Sequence, residues 1–253
     1  MNLMKDSIVK KIYFTLGILL IFIIWVIGEA TIKNDYIVPS ISSTMKALGE
    51  LLIDTHTYKV LGHTLLRLVI SISVCFLLGV VLAVLSYNFY RVRWLLKPII
   101  SLFKTLPIVV VIILLFVMLD RELSPYYIVG VVVLPVVYEA ILIGLDNINT
   151  DILDDVKISS NTTPYVLTKV HLPIIFPSIL TAIIQSIGLG FKVLVMGEYI
   201  TQPKYSIGNE FVHYKEVAAE MEYLYAWSMI IIIIVLGLEV LISYISRKKD
   251  LVL

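Results

Sequence analysis

Cysteine is nearly absent from this sequence. Cys75 stands alone inside an apolar run, so no disulfide framework can form within one chain. No Gly-x4-Gly-Lys-Ser/Thr phosphate loop occurs, so any ATP the protein depends on must be hydrolysed by another chain. His-Glu-x-x-His, Cys-x-x-Cys and Gly-x-Ser-x-Gly are missing too, and His56, His63, His171 and His213 lie scattered outside the span centres. These absences leave no candidate catalytic residue, no metal-ligand set and no cofactor site. Neither sign of charge dominates: 20 Lys and Arg face 19 Asp and Glu, and a net charge of +1 gives no reason to expect a nucleic-acid partner. Internal repeats and low-complexity tracts are also lacking.

Apolar residues, by contrast, are abundant and come in blocks. They make up 59% of the 253 residues, with a mean hydropathy of +0.97, where a soluble domain has roughly 45–50%. Residues 12–28, 68–87 and 172–191 carry no charge; 98–119 carry only Lys104, 126–145 only Glu139 and 224–245 only Glu239. About twenty residues at ~1.5 Å rise cross a hydrocarbon core of about 30 Å. Six helical spans are therefore expected, at about 12–28, 66–87, 98–119, 126–145, 172–198 and 224–246, in a single all-α membrane domain covering 1–253. The opening segment has a basic end and an apolar run, as a signal peptide would. "EATIKNDY" follows that run where a small-residue cleavage site would stand, so it reads as an uncleaved first span.

Lys and Arg set the expected orientation. Lys5, Lys10 and Lys11 precede the first span, and Arg91, Arg93 and Lys97 separate the second from the third. Lys157 and Lys169 lie between the fourth and fifth, and Arg247, Lys248 and Lys249 follow the sixth. Both termini are thus expected in the cytoplasm.

Between spans, "VPSISSTMKALGELLID" repeats Ile41, Met45, Leu48 and Leu52 at helical spacing, behind several N-cap candidates at Ser40 to Ser43. It predicts a short amphipathic helix, either a surface element or a connector. The outer segment "TQPKYSIGNEFVHYKEVAAEMEY" is either a solvated loop or a contact for an outside partner.

Two stretches point to function. On the fifth span Ser178, Thr181, Gln185, Gly188 and Lys192 recur at steps of three and four, so they share one helical face. A charge inside a span faces a partner or a watery cavity. Lys192 therefore lines a path or pairs with an acid on another span; a packing face with a snorkelling lysine is the plainer alternative. Glu198 stands further round the helix, and Glu139 on the fourth span is a second acid within an apolar block. By comparison, Ser71, Cys75, Gly79 and Ala83 put small residues at four-residue steps on the second span, which suits close helix packing.

The other stretch is "NTDILDDVKISSNTTPYVLTKVHLPIIFPS", before the fifth span. Asn149 or Thr150 can cap a helix in which Asp151, Asp154 and Asp155 stand near the positive end of the dipole. Pro164 stops or bends it near 161–163. A helix at about 151–163 is expected.

"VHLPIIFP", with Leu172, Pro173 and Pro177, resembles the close of the EAA loop of ABC-importer permeases. That loop's Glu-Ala-Ala falls on Asp154, Asp155 and Val156 and its glycine on Ser160, so the acid is kept in kind but the alanines and glycine are not. "YIVPSISSTMKAL", "HTLLRLVISISVCFLLGVVLAVL", "FKTLPIVVVIILLF" and "GFKVLVMGEYI" resemble successive segments of the nitrate/sulfonate/taurine branch, over roughly 36–247. The resemblance implies a type I ABC-importer permease fold, paired as a dimer of two copies, in the bacterial inner membrane. It further implies an extracytoplasmic solute-binding protein and two cytoplasmic ABC ATPases that bind the ATP and Mg. The helix at 151–163 would then be the coupling helix, with Asp154, Asp155, Lys157, Ile158, Ser159, Ser160, Asn161, Thr162 and Tyr165 as ATPase-coupling residues. The translocation path would be lined by Ser178, Thr181, Gln185, Gly188, Lys192 and Glu198. An ion-coupled secondary transporter using Glu139, Lys192 and Glu198 is the alternative; an intramembrane enzyme lacks a visible nucleophile, dyad or metal set.

Overall fold

The computed structural model describes residues 2–148 and 172–250. The expected coupling helix, and all nine residues assigned to ATPase coupling, lie outside them. Among the described residues every regular element is a helix. In chain order these are α1 (Asn2–Ile32), α2 (Ile41–Ile53), α3 (Thr55–Asn88), α4 (Tyr90–Thr105), α5 (Ile108–Met118), α6 (Ser124–Asp146), α7 (Leu172–Thr201) and α8 (Ile207–Val212). A π-helical turn (His213–Val217) and α9 (Met221–Asp250) follow.

Five helical stretches among the described residues are long and apolar enough to cross a bilayer: Thr15–Ile32, Thr55–Asn88, Ser124–Asp146, Pro173–Thr201 and Met221–Leu238. A sixth crossing is available only if α4 and α5 count together, and these two meet at 101°. The sequence predicts one span over 98–119; the structure divides it at Leu106-Pro107. The cause is local. Pro107 lacks an N–H, and the residue before a proline is pushed out of the helical region; Leu106 has φ −64 and ψ 130. The Thr105 hydroxyl donates to the carbonyls of Ser101 and Leu102, each at 3.1 Å, and so satisfies acceptors at the helix end.

The chain divides into two compact units. One comprises Met1–Thr57 and Glu210–Ile232. Here the Trp25 indole N–H donates to the Pro39 carbonyl at 3.0 Å, and its ring lies 5.6 Å from that of Tyr225. Ser40 caps α2 by accepting from the Ser43 N–H at 3.1 Å, as its sequence predicts. On α2, Thr44, Ala47 and Leu51 are buried, whereas Met45 and Leu52 of the apolar repeat are exposed. Tyr214 stacks on Tyr223, whose hydroxyl donates to Glu50. Burial, reinforced by the carboxylates of Glu210, Glu220, Asp54 and Glu50, pushes the Tyr214 phenol above its ordinary range.

The other unit comprises Tyr58–Asn209 and Ile233–Leu253. Ser71, Cys75, Gly79 and Ala83 are all buried along α3. A side chain at Gly79 would bring its Cβ to 2.7 Å from Val137 Cγ1, so glycine is what lets α3 and α6 approach. Next to this contact the Tyr138 hydroxyl donates to Ser86 at 3.0 Å. Ile112, Ile128 and Val193 form an apolar core where α5, α6 and α7 meet. The expected outer loop after α7 is not merely solvated: Thr201, Pro203, Ser206, Ile207 and Gly208 are buried. Gln202 and Tyr205 turn this segment with φ of 49° and 50°, an uncommon backbone for residues other than glycine.

Candidate functional site

The polar face expected on the fifth span lies along α7. Ser178 and Gly188 are half-buried; Thr181, Gln185 and Lys192 are exposed. Ser178, Thr181 and Gln185 form one wall of a cleft of about 410 Å³, and Val136, Glu139 and Ala140 of α6 form the other. The Thr181 hydroxyl turns back onto the Pro177 carbonyl at 2.9 Å, which occupies its proton and leaves its oxygen free to accept. Close approach of the two walls depends on Gly144, whose substituted Cβ would lie 2.6 Å from Ser178 Oγ.

Glu139 is the charged group of the cleft. Its two carboxylate oxygens accept from Lys104 Nζ at 2.9 and 2.7 Å. Lys104 belongs to a larger neighbouring cleft of about 730 Å³, which also contains Arg93, Lys97 and Asp146. There Arg93 forks onto Asp146 at 3.0 and 2.7 Å. The pair ties α4 to the last residue of α6, three residues before the segment 149–171. Exposed ion pairs contribute only about 0–1 kcal/mol, but the two-pronged geometry fixes direction. The only charges in the apolar blocks 98–119 and 126–145 thus neutralise each other.

Lys192 has no hydrogen bond or ion pair among the described residues. It reaches neither Glu139 nor Glu198, which have lysine and arginine partners of their own. Glu198 lies away from the cleft and has 0% exposure. Both of its oxygens accept from the Thr64 hydroxyl, at 3.1 and 3.0 Å, and Oε1 accepts from Arg67 at 3.2 Å. The backbone N–H of Gly208 points at Oε2 from 3.5 Å. Arg67, itself 4% exposed, also donates to the carbonyls of Lys204 (2.8 Å) and Tyr205 (3.1 Å) and to Glu122 (3.1 Å). The structure therefore separates the six path candidates into two groups: five on an open polar face, and Glu198 in a closed ion-pair node.

Among the described residues no group of three or more His, Cys, Asp or Glu could hold a metal ion. Residues 75–248 match the family model described as the binding-protein-dependent transport system inner membrane component. The chain belongs to that family. As a permease of this family it is 26% identical, over 165 residues, to the glycine betaine transport system permease protein OpuAB of Bacillus subtilis (strain 168). That match covers 64% of this chain and 58% of OpuAB. The fold resembles that of a bacterial ABC transporter involved in the import of the acidic polysaccharide alginate, with a TM-score of 0.69, 17% identity and coverage of 98% and 99% of the two chains. It also resembles the MetNI methionine ABC transporter in an inward-facing conformation, with a TM-score of 0.58 at 15% identity, covering 76% of this permease and 91% of that chain.

Sequence reasoning missed three features of the permease. The Lys104–Glu139 pair could have been sought, since these are the lone charges of adjacent apolar blocks. Arg67 had no assigned partner, although it stands within the second span's family-like segment. Nothing in the sequence signalled that the segment after α7 folds back to meet Glu198.

Proposed function

We propose that this chain is the membrane permease of an ATP-driven importer, passing a small solute inward by alternating access. The observation that carries this reading is the open polar face of α7, from Ser178 to Lys192, in a chain whose family is a transport component. Two copies pair around the path. A solute-binding protein delivers from outside, and two ABC ATPases supply the work from the cytoplasm, holding the ATP and Mg that this chain has no loop to bind. The resemblance to the nitrate/sulfonate/taurine branch belongs to this reading, and a cation at Lys192 suits an anionic solute. The rival, an ion-coupled transporter, is less well supported: Glu139 and Glu198, two of its three coupling groups, are already held in ion pairs.

In this reading the bacterial inner membrane holds the permease with both termini in the cytoplasm and residues 202–223 outside. Cysteines placed at Lys204 and Lys157 in a Cys75→Ala background are expected to react from opposite sides of the membrane. Labelling of both from outside intact cells would contradict the orientation.

Residues 151–163 act as the coupling helix. Ser159, Ser160 and Asn161 offer small side chains to a groove on the ATPase, so tryptophan at Ser160 overfills the contact. Overpacking costs about 1–3 kcal/mol, or roughly a ten- to hundredfold loss of docking. Ser160→Trp is expected to insert and dimerise normally, retain less ATPase on co-purification, and lose uptake. Full ATPase retention with full uptake would reduce the segment to a connector.

Lys192 is the path residue to test. With no partner among the described residues to strand, Lys192→Ala should leave assembly intact and lower uptake. Normal uptake by an assembled variant would remove Lys192 from the path; loss of the folded protein would instead mark it as structural.

A further inference from the structure

Glu198 closes the helix that carries the polar face, and one guanidinium holds it in place. Arg67 of α3 reaches Glu198 of α7, Glu122 in the turn before α6, and the carbonyls of Lys204 and Tyr205 in the segment after α7. Further contacts bind the same elements together. Glu122 Oε1 accepts from the Lys204 N–H at 2.7 Å, and Thr64 Oγ1 accepts from the Ile207 N–H at 3.2 Å while donating to Glu198. The inner part of this node is dry, with Glu198, Thr64 and Ser206 at 0% exposure, whereas Glu122 is exposed.

Separating α7 from α3 at this end would strand a buried carboxylate and a buried guanidinium, and would free two carbonyls as well. A low-dielectric node of this kind has one stable arrangement and opposes partial opening. We propose that Arg67 is a positioning residue that makes the outer ends of α3 and α7 and the segment 202–208 move as one body. A displacement of that segment would then turn the polar face of α7, and a displacement of α7 would carry the segment with it. The inference rests on the transport reading above and adds the residue through which the outer segment and the path are linked.

Arg67→Lys probes this link. Lysine keeps the charge beside Glu198 but has no planar fork, and cannot span Glu198, Glu122 and two carbonyls together. The readout is the rate at which a maleimide labels a cysteine at Gln185, in a Cys75→Ala background. It is measured on the complex with its co-purified ATPase, with and without Mg-ATP and orthovanadate. In the otherwise native complex the nucleotide should change the labelling rate. In Arg67→Lys that change is expected to fall at least about fivefold, the lower end of coupling between distant sites, while basal ATP hydrolysis persists. An Arg67→Met/Glu198→Met variant, which removes both charges together, should lose the change as well.

A nucleotide-dependent change of native size in either assembled variant would overturn the proposal. Failure of both variants to assemble would overturn it equally, because Arg67 would then be structural only. If the otherwise native complex shows no nucleotide-dependent labelling, the transport reading falls, and this inference with it.

Discussion

Alanine at position 208 should deplete the folded permease. A Cβ built on Gly208 would lie 2.1 Å from the Tyr199 backbone nitrogen and 2.3 Å from the Glu198 carbonyl carbon. These are backbone atoms of α7 and cannot rotate aside as the tip of a side chain could. The glycine is required for space rather than for backbone freedom, since none of the described glycines has a positive φ. Relief would require moving α8 off α7, which would draw the Gly208 N–H away from Glu198. The expected cost is at the top of the about 1–3 kcal/mol range for overpacked sites. Gly62→Ala is the matched control: it sits in α3, where an added Cβ would meet nothing within 4 Å, and alanine favours a helix over glycine by about 1 kcal/mol. Thermal unfolding of the two purified variants should show a large fall in midpoint for Gly208→Ala and no fall for Gly62→Ala. Equal midpoints would mean that the α7–α8 approach is looser than described.

Leucine at Arg67 should be at least as damaging, for a different reason. The Glu198 carboxylate, at 0% exposure, would keep Thr64 and Gly208 but lose its only cation among the described residues. The carbonyls of Lys204 and Tyr205 would lose their donor in the same step. Removing one partner of a buried pair costs about 3–5 kcal/mol, whereas replacing both by apolar groups is often nearly neutral. The double variant Arg67→Leu/Glu198→Leu is therefore expected to recover much of the stability that Arg67→Leu loses. A double variant no more stable than the single would show that the stranded charge is not the source of the loss. With Glu198→Leu measured as the second single variant, the set closes a thermodynamic cycle, so the coupling is measured rather than inferred from contacts.

Much of the architecture could be read from the sequence because apolar run length and helical period are local properties. The apolar blocks, apart from 98–119, fall in helices long and apolar enough to span, Ser40 caps α2, and the three-and-four steps from Ser178 to Lys192 mark a face that does lie along one side of α7. The small-residue steps on α3 pointed to packing, which Gly79 against Val137 supplies. Non-local features were not legible. The break at Leu106-Pro107 was signalled by a proline, but a proline in a span can kink it or end it, and 101° is a matter of what packs around it. Helical spacing alone could not say which side of α2 is buried, and Thr44, Ala47 and Leu51 turn out to be. The partners of Glu198 are not legible in the sequence, since Arg67 and Thr64 lie 131 and 134 residues away in the chain.

Transport through this chain is proposed to be driven by a separate ATPase. Purification of the tagged permease from native membranes, with subunit masses, stoichiometry and ATP hydrolysis determined on the same sample, tests it most directly. Two copies of this chain are expected with two copies of an ABC ATPase, and a hydrolysis rate that falls when Ser160→Trp weakens the contact. A permease that purifies without any ATPase, in cells whose uptake survives ATP depletion while the ion gradient is maintained, would contradict it.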